Sequence, residues 1–244
     1  MNTFFLCLAC MTLFFILGGP TNTDFMLVEL PVLFLTSLMT LTQYVIVPYD
    51  TLAYFFLSIA ALLIIKTRQT FWNSVALCIV VVLATLTRET ATLILAFYFA
   101  VHYRTILTKP KNFRINPKQS LFLIIITCFI GAYTALRFAF GFEQAIYQDF
   151  SLLRNANPLS LMSSIFLASL VLLVSITKVV KKEIFVFLIG SLPYILPLFL
   201  IADLWEIRLW TPIILLLVIL KARSSIGKQN FKGQLDLSSD SPSG

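Results

Sequence analysis

Blocks of about twenty apolar residues recur along nearly the whole chain, the length a helix needs to cross a hydrocarbon core. In lipid every backbone N–H and C=O must be satisfied inside the segment, so each block reads as a helix. The first, 4–17, ends at Gly18-Gly19-Pro20 and has neither the basic start nor the small-residue cleavage site of a signal peptide; a retained, short helix is expected. The next, 25–41, carries Glu29 and Pro31 near one end, where the first turn of a helix tolerates proline. Asp50 is placed to cap a third helix over 51–65, which Lys66 and Arg68 close. Further spans are 121–140, 159–176, 185–201 and 210–220, with Pro193 and Pro197 kinking the third of these. Between 141 and 158, Phe142, Ala145, Ile146, Phe150 and Leu153 recur at the spacing of a helix lying in the interface. No internal repeat is visible. The pattern predicts an all-α fold, a polytopic transmembrane helix bundle of about nine membrane helices over 1–222. A polar, Ser/Gly-rich, disordered cytoplasmic tail is expected over 223–244.

One stretch breaks the pattern. Thr85-Leu86-Thr87-Arg88-Glu89-Thr90 interrupts an apolar run from 75 to 101 and puts two charges where charge is costly. The flanking halves, 71–86 and 90–101, are each shorter than the roughly 20 residues of a full crossing, so a hairpin of short helices is expected over 71–101. An ionisable pair at that depth marks a functional site when it faces protein or water. The plainer alternative is a turn whose Arg88 and Glu89 pair or reach the headgroups.

Composition makes the membrane reading general. The 244 residues are 59% hydrophobic and 12% charged, with a mean hydropathy of +0.93, which excludes an ordinary soluble domain. The net charge of +7 does not point to nucleic acid, because most Lys and Arg residues are confined to a few short loops and the tail. Cys7, Cys10, Cys78 and Cys128 all lie in apolar runs, where a thiol behaves as a small hydrophobe and no disulfide framework is implied. Cys7-x-x-Cys10 has redox or metal spacing but stands alone, and the single histidine, His102, is far along the chain and reads as an interfacial residue. No cofactor or metal site is identifiable.

Charge then sets orientation. The loop 102–120 holds Arg104, Lys109, Lys111, Arg114 and Lys118 without one acidic residue, a cytoplasmic marker. Alternation outward from it puts every lysine on the cytoplasmic side. Asp50, Arg88, Glu89, Arg137, Glu143, Asp149, Arg154, Asp203, Glu206 and Arg208 fall on the outer side, and the outer cations are all arginines. Arginine's planar fork matches phosphate bidentately and keeps its charge in a dry site, so an anionic ligand is expected at the outer face.

Three local patterns carry a family resemblance: 82–90 as a short helix pair joined by a Thr-basic turn, Trp205-Glu206-Ile207-Arg208-Leu209-Trp210-Thr211-Pro212 as an acidic-x-Arg-x-x-x-Pro helix entry, and Pro48-Tyr49-Asp50 before an aromatic-rich span. They resemble the C-type (GT-C) membrane glycosyltransferases, multi-pass enzymes that take a sugar from a polyprenyl-phosphate carrier on the outer face. The anchored segments cover about two-thirds of the chain. Family members carry an acidic motif in a long first outer loop, and this chain has no such loop. The expectation is therefore an N-terminally truncated or divergent member, in which Asp50 or Glu89 stands in for the missing carboxylate.

The resemblance implies a base for the acceptor hydroxyl and cations for the departing phosphate. Asp50 and Glu89 are the candidate catalytic carboxylates; Arg88, Arg137 and Arg208 are the candidate lipid-phosphate ligands, with Glu206 orienting an arginine. The implied partners are membrane lipid and a polyprenyl-phosphate-linked sugar, and the implied location is a bacterial inner (cytoplasmic) membrane. Two other readings stand beside it: a transporter or flippase-like carrier, whose break at 87–90 offers half-helix ends to a substrate, and a non-catalytic membrane scaffold or remnant.

Overall fold

Among the described residues every regular element is helical, as apolar blocks that must satisfy their own backbones require. The computed structural model describes residues 8–9, 12, 48–65, 70–108, 116–141, 157–158, 161–162, 165–166, 168–169, 171, 181–201, 209–221 and 223. Helix α1 is Pro48–Ile65, α2 Phe71–Thr87, α3 Thr92–Leu107, α4 Pro117–Phe140, α5 Lys181–Gly190 and α6 Leu192–Ile201. The last, α7, is Leu209–Lys221. The helices expected at 4–17, 25–41 and 141–158 and the tail after Arg223 lie almost wholly outside the described residues, and 159–176 is described only at scattered helical positions.

The helices alternate in direction. Asp50 at the start of α1 meets Arg88 at the end of α2, while Leu63, Ser74, His102 and Leu121 gather at the opposite end. α1 begins at Pro48, which needs no N–H partner in a first turn, so Asp50 is the third helical residue and not the N-cap expected for it. α2 and α3 flank the break as expected, joined by a single 3-10 turn, Glu89–Ala91. They do not close into a tight hairpin. α2 packs mainly on α1 and α4, whereas α3 packs mainly on α5 and also touches α4 and α1. The reason is that α3 is apolar around its circumference: Leu93, Ile94, Ala96, Phe97, Tyr98 and Ala100 are all buried, and one neighbour could not cover them.

Small residues set the closest approach. A Cβ added to Gly190 of α5 would sit 3.3 Å from the Ala96 Cβ of α3, so the two backbones approach as small-residue helix pairs do. Beside that contact Phe97 meets Phe187 edge to face, with ring centroids 6.3 Å apart.

The loop expected over 102–120 is shorter, because α3 continues to Leu107 and α4 starts at Pro117. A capping box starts α4. The Asn116 side chain accepts from the Lys118 N–H at 3.1 Å, and the Gln119 carbonyl oxygen accepts from the Asn116 N–H at 3.1 Å. Gln119 Nε2 also donates to the Ile106 and Thr108 carbonyls, at 2.7 and 3.1 Å, tying the end of α3 to the start of α4. At its far end α4 stops at Gly141, whose φ of 79° favours glycine and whose N–H donates to the Arg137 carbonyl at 2.8 Å.

The single kinked span expected over 185–201 is two helices. The Ser191 N–H closes α5 on the Phe187 carbonyl, and the Ser191 carbonyl accepts from Tyr194 and Ile195 to start α6. Pro193 thereby falls in a first turn, where its missing N–H costs nothing, and only Pro197 lies inside the helix. α7 is the innermost element, buried at every residue from Leu209 to Leu220, and the Tyr194 hydroxyl donates to the Leu209 carbonyl at 3.0 Å.

α4 differs from α7 in its surroundings. At 24 residues it is long and apolar enough to cross a membrane, and its apolar stretch of 18 residues has a mean hydropathy of 2.0 but is only 11% buried. Leu123, Ile124, Ile130, Phe138 and Phe140 face outward from it, and Ile79, Leu83 and Leu86 face outward from α2. α2, α3, α7 and most of α1 are apolar but shorter.

Candidate functional site

The site grows from the helix break. The α2 helix ends without a glycine or proline: the Thr85 and Thr87 hydroxyls donate back to the Val81 and Leu83 carbonyls, both at 2.7 Å, inside their own helix. The backbone then turns extended at Arg88, with φ −166° and ψ 153°, while the Arg88 N–H still reaches the Ala84 carbonyl at 2.9 Å. The Arg88 carbonyl accepts from Ala91 at 3.2 Å, which closes the 3-10 turn. Leaving the helix at this residue frees the Arg88 side chain to reach across to α1.

There it meets Asp50. The Arg88 guanidinium and the Asp50 carboxylate form a salt bridge, with the Asp50 side chain 1% exposed and the Arg88 side chain 14% exposed. The start of α1 packs against the 3-10 turn, and Thr51, Thr90 and Ala91 are buried around the junction. A carboxylate in the first helical turn also sits near the positive end of the helix dipole, which adds a second electrostatic contact to that with Arg88. The arrangement amounts to a charge pair, with its carboxylate buried, joining two helix ends at one end of the bundle.

Of the other residues singled out in the sequence, Arg137 lies in the last turn of α4, its guanidinium 4.9 Å from the centre of the Tyr133 ring one turn earlier. The Glu89 backbone opens the 3-10 turn. Glu206, Arg208 and the side chain of Glu89 lie outside what is described. Pro212 falls in the first turn of α7. Among the described residues no group of three or more His, Cys, Asp or Glu side chains converges as a metal site would require.

The opposite end of the bundle holds a polar cluster that charge and periodicity alone did not single out. His102 lies inside α3 and stacks edge-on against Tyr98, with centroids 4.8 Å apart, and the Tyr98 hydroxyl donates to the Lys118 carbonyl at 3.2 Å. Both line a small open cleft with Asn73, Ser74 and the apolar ends of α1 and α4. Nearby, Arg223 approaches Glu183 to 3.7 Å, so helical structure reaches at least one residue into the segment expected as a tail. The signal for this cluster was the capping box, Asn116-Pro117-Lys118-Gln119, which marks where α4 begins and so brings Lys118 beneath α3.

No family model, curated protein or solved structure matches this chain. The likeness to the GT-C enzymes therefore rests on the local patterns around Asp50, Arg88 and Arg208.

Proposed function

We propose that the chain is a multi-pass membrane protein that handles a lipid-linked phosphate at its extracytoplasmic face, as a GT-C-like glycosyltransferase does. The membrane reading is supported by the exposed apolar faces of α2 and α4 and by the sorting of charge between the two ends. Lys118, Lys182 and Lys221 belong to helix ends on the His102 side, and Arg88 and Arg137 to helix ends on the other. By the positive-inside rule the His102 end is cytoplasmic and the Asp50 end outside.

The observation that carries the functional reading is the unequal exposure of the ion pair, 14% for Arg88 against 1% for Asp50. A ligand reaches the guanidinium and not the carboxylate. Arg88 is then the phosphate-holding group and Asp50 the residue that fixes its orientation, because a planar fork held from behind by a carboxylate is pre-organised for an oxyanion. Asp50 moves from candidate base to positioning residue. Glu89 remains the candidate base, Arg137 and Arg208 the further phosphate ligands, and Glu206 the orienting carboxylate. The donor is a polyprenyl-phosphate-linked sugar and the location a bacterial inner membrane.

The test is binding of a short-chain polyprenyl phosphate to the purified protein, followed by sugar transfer from its glycosylated form. Arg88→Lys keeps the charge and loses the fork, so binding should weaken by about tenfold or more. Unchanged binding refutes the role of Arg88. A second reading, a non-catalytic scaffold with Asp50–Arg88 as a latch, is favoured by the near-complete burial of Asp50, and it predicts that Arg88→Lys alters stability alone.

A further inference from the structure

α2 and α4 pack against each other but differ in length, 17 residues against 24. Ser74 of α2 and Leu121 of α4 line the same cleft, each about one turn into its helix, so the two helices start level at the His102 end. At 1.5 Å per residue α2 rises only about 25 Å, and α4 runs on for about 10 Å beyond it. That difference falls at the Arg88 end.

Both ends of α2 carry residues of the kind found at a membrane interface. Phe71 and Trp72 are exposed at its start, edge to face with ring centroids 5.7 Å apart, and Arg88 closes it. Such rings suit the headgroup level, where the indole N–H meets water and the ring faces meet hydrocarbon. Ile79, Leu83 and Leu86 continue the stripe of Trp72 up the helix, and all three are exposed. A flat bilayer has a hydrocarbon core of roughly 30 Å, about 5 Å more than α2 can cover, and tilting the helix only widens the gap. The usual remedy for a short helix is a flanking residue that snorkels out to the headgroups. Arg88 is not available for that, because its guanidinium is held by Asp50.

We propose that the α2 face of the bundle thins the phospholipid bilayer beside it, bringing the outer headgroups down to the level of Arg88. A lipid-borne phosphate then meets the guanidinium without leaving its own leaflet. α4, at about 36 Å, spans the undisturbed bilayer on its side with some tilt. The thinning rests on the multi-pass membrane reading, since a short helix meets a mismatch only in lipid.

The experiment attaches a bimane to a single cysteine in the full, otherwise cysteine-free chain, as Phe71→Cys, Ile79→Cys or Leu86→Cys, all at exposed positions. Each protein is reconstituted in dioleoylphosphatidylcholine vesicles containing a phospholipid with a nitroxide either on its headgroup or near the end of an acyl chain. The headgroup nitroxide should quench about twofold or more better than the chain nitroxide at both Phe71 and Leu86, and the order should reverse at Ile79. Quenching at Leu86 that is as strong or stronger from the chain places that end of α2 deep in an unthinned bilayer. This overturns the thinning, and chain quenching at Ile79 then leaves the membrane reading standing. Chain quenching at Phe71 overturns it equally, because α2 has then slid towards one leaflet as a whole. If neither nitroxide quenches at Ile79, the α2 face lies outside the bilayer, and the membrane reading fails together with the thinning.

Discussion

The Asp50 carboxylate and the Arg88 guanidinium form a buried ion pair that joins the first turn of α1 to the break between α2 and α3. The carboxylate is shut off from water and depends on the partly exposed guanidinium, so the pair behaves as one unit. Removing one partner strands the other, at a typical cost of about 3–5 kcal/mol, while replacing both with apolar residues is often close to neutral.

Asp50→Leu alone should therefore unfold at markedly lower temperature in detergent, and Asp50→Leu combined with Arg88→Met should regain most of the loss. Thermal unfolding of the parent, both single variants and the double variant measures the coupling directly. Single-variant losses that simply add would show that the two groups do not stabilise each other.

The α3–α4 joint separates a cap from a tie. Asn116→Ala removes the cap of α4 and should cost about 1 kcal/mol. Gln119→Ala also removes the bonds to the Ile106 and Thr108 carbonyls and should cost roughly 1–2 kcal/mol. Hydrogen exchange distinguishes them: both variants should speed exchange at the start of α4, but only Gln119→Ala should also loosen the joint to α3. Identical exchange patterns would mean that Gln119 acts as a cap alone.

Gly190 is expected to tolerate little. With the nearest Ala96 atom 3.3 Å from a new Cβ, Gly190→Ala needs a shift of a few tenths of an ångström, whereas Gly190→Leu forces α3 and α5 apart. Overpacking of that kind costs about 1–3 kcal/mol, and Ala96→Gly in the same chain should recover part of it. Thermal unfolding of the three variants is the measurement; a Gly190→Leu protein as stable as the parent would mean the helices are not held at that contact.

Sidedness is tested by single cysteines at Asn112, Phe150 and Leu235 in a cysteine-free background, probed with an impermeant thiol reagent. In intact cells only the Phe150 position should label if, as proposed, the Lys-bearing ends are cytoplasmic. Labelling at Asn112 or Leu235 from outside would reverse the orientation and move Arg88 to the cytoplasmic face.

What the sequence determined by itself is local. An all-α fold follows from apolar block length, since lipid leaves the backbone no other way to satisfy itself along such blocks. The break at Arg88 was legible because charge in an apolar run is expensive wherever the run goes. The start of α4 was misplaced at 121, because the charge of the 102–120 segment pointed to a longer loop and masked the capping residues Asn116 and Gln119. What only the tertiary structure decided is partnership. Arg88 meets Asp50 because α1 packs against the 3-10 turn, and no local pattern encodes which remote carboxylate arrives there. The same holds for Ala96 under Gly190, and for the contrast between the buried α7 and the outward-facing α4, both of which are apolar helices in the sequence. Hydrophobicity makes a helix compatible with lipid and with a protein interior alike; packing between distant segments decides which of the two each face receives.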